Sequence, residues 1–146
     1  MTPELDEHYR KLERMYQGAA INAFFRPVAT IGKGRCEIVI PVRPDFHHAA
    51  GSVHGSVFFK ALDDAAYFAV QSLVREHFLV TANFSLFLER PVQEGEIRAL
   101  GEVVTAGKNL YLGQAILTDA QGRELARGSG NFVKSSARLT AEIGYV

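Results

Sequence analysis

The sequence predicts an α+β domain in which a curved antiparallel sheet wraps one long helix. Three observations carry that reading. Residues 51–76 form a glycine-rich turn followed by an alanine-rich helix, with Ala61, Ala65 and Ala69 at four-residue spacing beside Val57 and Leu73. Such a narrow stripe of small side chains lets a sheet approach the helix backbone closely. After the helix come period-two segments joined by short polar turns, the pattern of an antiparallel meander. Before it, Gly32-Lys33-Gly34 marks a hairpin.

The elements follow in order. Residues 3–17 carry Leu5, Tyr9, Leu12, Met15 and Tyr16 among charges, which predicts a short amphipathic helix with Thr2 as N-cap and Pro3 in its first turn. Residues 1–22 are thus an N-terminal helical segment. Residues 23–31 predict a first strand, and Pro27 places it at an edge or a kink. In the second strand Cys36, Ile38, Ile40 and Val42 alternate with Glu37, Val39 and Pro41. Residues 44–52, with His47 and His48, have no period and form a loop. In the turn Val53-His54-Gly55-Ser56 the helix dipole presents free backbone N–H groups, with Ser56 as the expected cap, so an oxyanion is favoured there. Val80, Ala82, Phe84, Leu86 and Leu88 then alternate with Thr81, Asn83 and Ser85, the first set facing the core and the second forming a polar face. Strands over 96–105, 110–118 and 123–133 follow, and 135–146 reads as a loosely held tail. No linker or repeat divides the chain, so residues 1–146 are expected to be a single domain.

Composition narrows the function. Lys plus Arg and Asp plus Glu balance at 16 each, so a nucleic-acid partner is not expected. Cys36 is the one cysteine, the opening residues are charged, and no apolar run approaches the roughly 20 residues of a membrane span. A soluble cytoplasmic protein is expected, without membrane contact.

The helix acids set the chemistry. Gly55 and Asp63 are eight residues apart, about 12 Å along a helix axis, so one chain does not aim both at a single carbonyl. If both serve one site, two such helices run antiparallel past each other and a homodimer is required. Phe59 and Tyr67 flank Asp63 at four-residue spacing, an apolar setting that raises a carboxyl pKa and strengthens the base. Asp64 points about 100° away, and the spacing leaves open which acid acts. His47, His48 and His54 lack a Cys or carboxylate cluster at ligand spacing, so no metal is expected. Nucleophile-elbow, P-loop and dinucleotide motifs are absent.

His54-Gly55-Ser56 followed by Leu62-Asp63-Asp64-Ala65-Ala66 resembles the H-G-G-x(6)-[LA]-D-x-A pattern of hotdog-fold acyl-CoA thioesterases, in the PaaI-like, phenylacetate-pathway branch of the 4-hydroxybenzoyl-CoA thioesterase superfamily. The resemblance continues through 80–84, Pro91-Val92, Gly95, 101–104 and 126–130, and spans residues 27–134. It implies a hotdog fold and hydrolysis of an acyl-CoA to free acid and coenzyme A. By the resemblance, Asp63 is the nucleophile or general base, the Gly55 N–H polarises the thioester carbonyl, His54 supports that turn and Thr81 positions water. Ser56 replaces the second glycine of the motif, and His48 stands where many relatives carry Asn; an imidazole can hold water or the thioester oxygen as the amide does. Phe59 and Tyr67 are candidates for the acyl pocket, and Arg90, Lys108 and Lys134 for the coenzyme A phosphates. No cofactor beyond coenzyme A within the substrate is implied, and the assembly is a homodimer or a dimer of dimers, a homotetramer. Two alternatives keep the fold: an acyl-CoA-binding module without catalysis, or a hydratase or dehydratase pairing His54 or His48 with Asp63.

Overall fold

The computed structural model describes residues 2–146. Helix α1 (Pro3–Gly18) begins where the Thr2 hydroxyl accepts from the Leu5 N–H at 3.3 Å and Pro3 fills the first turn. Its spacing buries His8, Tyr9, Leu12, Met15 and Tyr16 on one face. That face lies against strand β1 (Val28–Gly32), where Arg10 donates to the Ile31 carbonyl and Glu13 accepts from the Ile31 N–H, each at 2.7 Å. Side chains of α1 thus satisfy backbone groups that an edge strand leaves open.

Six antiparallel strands form one sheet in the order β1-β2-β4-β5-β6-β3, with β2 Arg35–Pro41, β3 His77–Leu88, β4 Glu96–Ala106, β5 Leu110–Asp119 and β6 Glu124–Arg138. Helix α3 (Gly55–Gln71) packs on it through the alanine stripe, and Ala61, Ala65, Ala66 and Ala69 are wholly buried. The sheet supplies matching seats. A Cβ at Gly101 would meet the Ala65 carbonyl oxygen at 2.1 Å, and one at Gly113 the Ala66 carbonyl oxygen at 2.9 Å. Only hydrogen fits at either place.

Five expectations change. Residues 22–25 are not strand: Asn22–Phe25 make one helical turn, α2, whose Asn22 amide donates to the Tyr16 carbonyl at 2.7 Å, and Pro27 delays β1 to Val28. The helix start is capped by His54, whose Nδ1 accepts from the Ser56 N–H at 3.0 Å, so Ser56 is capped rather than capping. β3 does not join a four-strand meander; it pairs with β6, leaving β4-β5-β6 as the meander. Three strand spacings, about 14 Å, separate β3 from β4, and the connection after Leu88 crosses them past the start of α3, where Val53 donates to the Val92 carbonyl at 2.9 Å.

The fourth change concerns the faces of β3. A register shift between Thr81 and Asn83 adds a residue to the strand, so the alternation reverses there. Leu79 is fully buried and Val80 is 41% exposed, the opposite of the single-phase expectation, while Phe84 and Leu86 beyond the shift pack against the core. Fifth, the final residues are held. β6 continues to Arg138, the Ser135 hydroxyl donates to the Phe78 carbonyl at 2.6 Å, and a 3-10 turn (Ala141–Ile143) brings Tyr145 Oη within 2.7 Å of His8 Nδ1.

Candidate active site

Asp63 sits midway along α3, half-buried, on the wall of a cavity of about 550 Å³. The Thr81 hydroxyl donates to its Oδ1 at 2.9 Å, a contact that the β3 irregularity makes by turning Thr81 toward the helix. Oδ2 has no protein partner among the described residues. Burial, and next the charge of Asp64, push the Asp63 carboxyl up to about 6, against the opposing pull of the Thr81 hydrogen bond and Lys60. A carboxylate at that value is a competent base near neutral pH and remains largely ionised there.

Asp64 occupies a different setting. Lys60 Nζ lies 2.7 Å from its Oδ2, and the Tyr16 hydroxyl donates to the same oxygen at 2.6 Å. The Lys60 ammonium in turn lies over the Tyr16 and Phe25 rings, 5.1 and 5.3 Å from their centroids. Burial raises the Asp64 carboxyl while Lys60 and Tyr16 oppose the shift. Asp64 lines the same cavity, but its charge is paired with Lys60 and its Oδ2 is committed to a tie between α1 and α3, whereas among the described residues Asp63 carries no ion pair and is held by the Thr81 hydroxyl alone.

The turn at the start of α3 opens on a second cavity of about 270 Å³, lined in part by His48, Gly55, Phe58, Leu88 and Arg90. The Gly55 N–H has no acceptor among the described residues and stands at the positive end of the α3 dipole. His48 Nδ1 accepts from the Ala50 N–H at 3.1 Å, and His54 Nδ1 is used by the cap. Within one chain, then, Asp63, Thr81 and Tyr67 share one cavity while Gly55, His48 and Arg90 share another.

The remaining expected residues fall as follows. Tyr67 is buried, its hydroxyl within 2.9 Å of both Gln71 Oε1 and the Leu79 carbonyl, so it offers the cavity a ring face. Phe59 lines neither cavity and packs edge-on to Phe84. Ser56 Oγ lies 2.8 Å from His54 Nδ1. Lys108 lies in the turn between β4 and β5 and Lys134 on β6, both exposed and neither lining these cavities. Sequence reasoning missed the terminal contribution to the first cavity: Met15, Ala19, Ile21 and Asn22 from the first segment, and Ala137 and Ile143 from the last. The apolar face of α1 was the available signal, since Met15 and Tyr16 end that stripe.

A family model described as the thioesterase superfamily matches residues 50–126. A Saccharolobus solfataricus protein carrying a provisional esterase name is 21% identical over 138 residues, covering 94% of this chain and 95% of that protein. The E. coli PaaI protein from the phenylacetic acid degradation operon superposes with a TM-score of 0.83 at 18% identity, covering 92% of this chain and 98% of PaaI. A thioesterase family protein from Silicibacter pomeroyi gives 0.80 at 23% identity, covering 86% and 96%. These likenesses show that the sheet wrapped on α3 is the hotdog fold.

Proposed function

The chain belongs to the thioesterase superfamily, and from that premise we propose that it hydrolyses an acyl-CoA, with Asp63 as the base that drives water onto the thioester carbonyl. The observation that carries the reading is Asp63 itself: a half-buried carboxylate in an apolar cavity, oriented through one oxygen by Thr81 and titrating at about 6. The free Oδ2 takes a proton from water, the hydroxide adds to the carbonyl carbon, and the tetrahedral oxyanion is met by the Gly55 N–H. Collapse breaks the C–S bond, and the proton held by Asp63 passes to the departing thiolate, giving free acid and coenzyme A. Direct attack by Asp63 instead gives an anhydride that water then opens, and the same carboxylate serves that route. No metal or redox cofactor enters either route.

Because Asp63 and Gly55 line separate cavities within one chain, the complete site is assigned to a homodimer in which Gly55 of the partner subunit faces Asp63. β3 supports this assembly. It is an edge strand of 12 residues, whereas α1 side chains occupy the edge at β1. Arg90, at the second cavity, is the preferred contact for a coenzyme A phosphate over Lys108 and Lys134. Hydrolysis is preferred to hydration because the matching family model is that of the thioesterase superfamily.

Thiol release from short, medium and aryl acyl-CoA esters tests the reading. Asp63→Asn is expected to lower kcat/KM by on the order of 10³-fold, and Asp64→Asn by less than about tenfold. Full activity in Asp63→Asn would remove Asp63 from the chemistry, and no turnover of any ester by wild type would leave an acyl-CoA-binding module.

A further inference from the structure

We propose that the two ends of the chain form the wall that selects the acyl group, and that they select an uncharged chain of medium length. The inference rests on the hydrolase reading only in taking the Asp63 cavity as the place where the acyl group lodges. Met15 and Ala19 from the end of α1, Ile21 from the link to α2, and Ile143 from the last 3-10 turn line the cavity together with Asp63, Tyr67 and Phe78. All four lie outside residues 50–126, the stretch matched by the family model. The hotdog core therefore supplies the reacting end of the site, and the terminal segments supply its reach.

The wall is fastened in a way that a loose tail would not be. Gly144, at φ 94°, lets the chain turn tightly over α1, where a Cβ would come within 3.3 Å of Met15 Cα. Tyr145 Oη and the Gln71 carbonyl lie 2.7 and 3.2 Å from the two ring nitrogens of buried His8, tying tail, α1 and the end of α3 together. Arg14 holds the Val146 carbonyl. Ile143 is thereby kept in the cavity lining while remaining 41% exposed.

Size and charge define what fits. A volume of about 550 Å³ has room for on the order of ten groups of water or methylene size, well beyond an acetyl group. The one cation in the lining, Lys60, is already paired with Asp64, and the other charges there are the two carboxylates, so an acyl group ending in a carboxylate is rejected. The aromatic and aliphatic walls gain from each methylene buried.

The test measures binding of S-alkyl coenzyme A thioethers of increasing chain length, which cannot be hydrolysed, to wild type, Ala19→Trp, Ile143→Trp and Ala20→Trp. Ala20 is exposed and lines none of the cavities described, so it controls for a bulky residue one position away. For wild type, Kd is expected to fall about fourfold per methylene until the cavity fills. Ala19→Trp and Ile143→Trp should each reach that plateau at shorter chains and bind the longest thioether at least about tenfold more weakly, while Ala20→Trp follows wild type. Two independent wall variants guard against one failing to fold. The proposal is overturned if both variants follow the wild-type profile, or if wild-type Kd does not change with chain length. Thiol release from the matching esters separates the two ideas: the chain-length profile without turnover keeps the wall and removes the hydrolase, and turnover without the profile does the reverse.

Discussion

Asp63 is strengthened by burial as the base that the proposed hydrolysis needs, and that burial costs the fold stability. Its folded carboxyl titrates at about 6, chiefly through burial, against 3.8 for an unperturbed aspartate. Between those values the native state keeps a proton that the unfolded chain has released, so stability falls as pH rises through the window. At pH 7.5 the deficit is on the order of 2–3 kcal/mol. Asp63→Asn, which retains an acceptor for the Thr81 hydroxyl, is therefore expected to melt at higher temperature than wild type at pH 7.5 and to lose most of that advantage near pH 4. Thermal unfolding at the two pH values checks it, and equal melting at pH 7.5 would show that the carboxylate carries no such cost. On the proposed mechanism activity runs the other way, because it needs the ionised carboxylate: wild-type kcat/KM should drop about tenfold per pH unit below about 6. Phe59 packs on Phe84, but the apolar setting of Asp63 was legible in Tyr67, one turn on, which lines the same cavity. The commitment of Asp64 was not, because its partner Tyr16 lies 48 residues back on another helix.

Among the elements, α3 was the most legible, because its alanine stripe states how closely something must approach it. What the stripe meets was hidden, since glycine in a strand reads locally as weakness rather than as a seat. The close approaches at Gly101 and Gly113 supply the answer, and they make a sharp prediction. Gly101→Ala places a methyl group on the Ala65 carbonyl and should destabilise the fold by about 3 kcal/mol or more, or prevent folding. Gly18→Ala, with no atom within 4 Å of the added carbon, should be neutral or slightly stabilising. Denaturant unfolding of the pair measures both, and comparable stability would mean that the sheet can withdraw from α3 at little cost. β3 was harder to read for two reasons. Its alternation is broken by an irregularity with no marker in the sequence, and its pairing with β6 depends on Gly128 and Gly130, where an added Cβ would come within 2.5 Å of the Phe84 ring. The period-two pattern reports that a strand exists and is silent on which neighbour can accept it.

On the scale of the whole molecule, the two edges of the sheet are treated unequally. The β1 edge is occupied by Arg10 and Glu13 of α1, whereas β3 exposes Val80 and Phe87 and ends the sheet. In the proposed dimer, joining two copies through β3 is what would bring together elements that one chain keeps apart: the cavity of Asp63 and the N–H of Gly55. If each site takes its base from one subunit and its oxyanion donor from the other, two differently damaged chains should repair each other. Gly55→Pro deletes that N–H while suiting the backbone of the first helical position, since His54 already has extended angles, and it requires the tip of the Leu88 side chain, 2.9 Å from the added Cβ, to move aside. Gly55→Pro alone should lose on the order of 10²-fold in kcat/KM, and Asp63→Asn alone more. In a mixture unfolded and refolded together, half of the dimers carry one chain of each kind, and one of their two sites is then built from intact halves. Activity should recover to about a quarter of wild type. A site contained within one chain predicts instead that the mixture never exceeds the average of its two parents. The same refolding applied to wild type mixed with Asp63→Asn should leave activity proportional to the wild-type fraction, because every intact Asp63 then finds a partner with an intact Gly55.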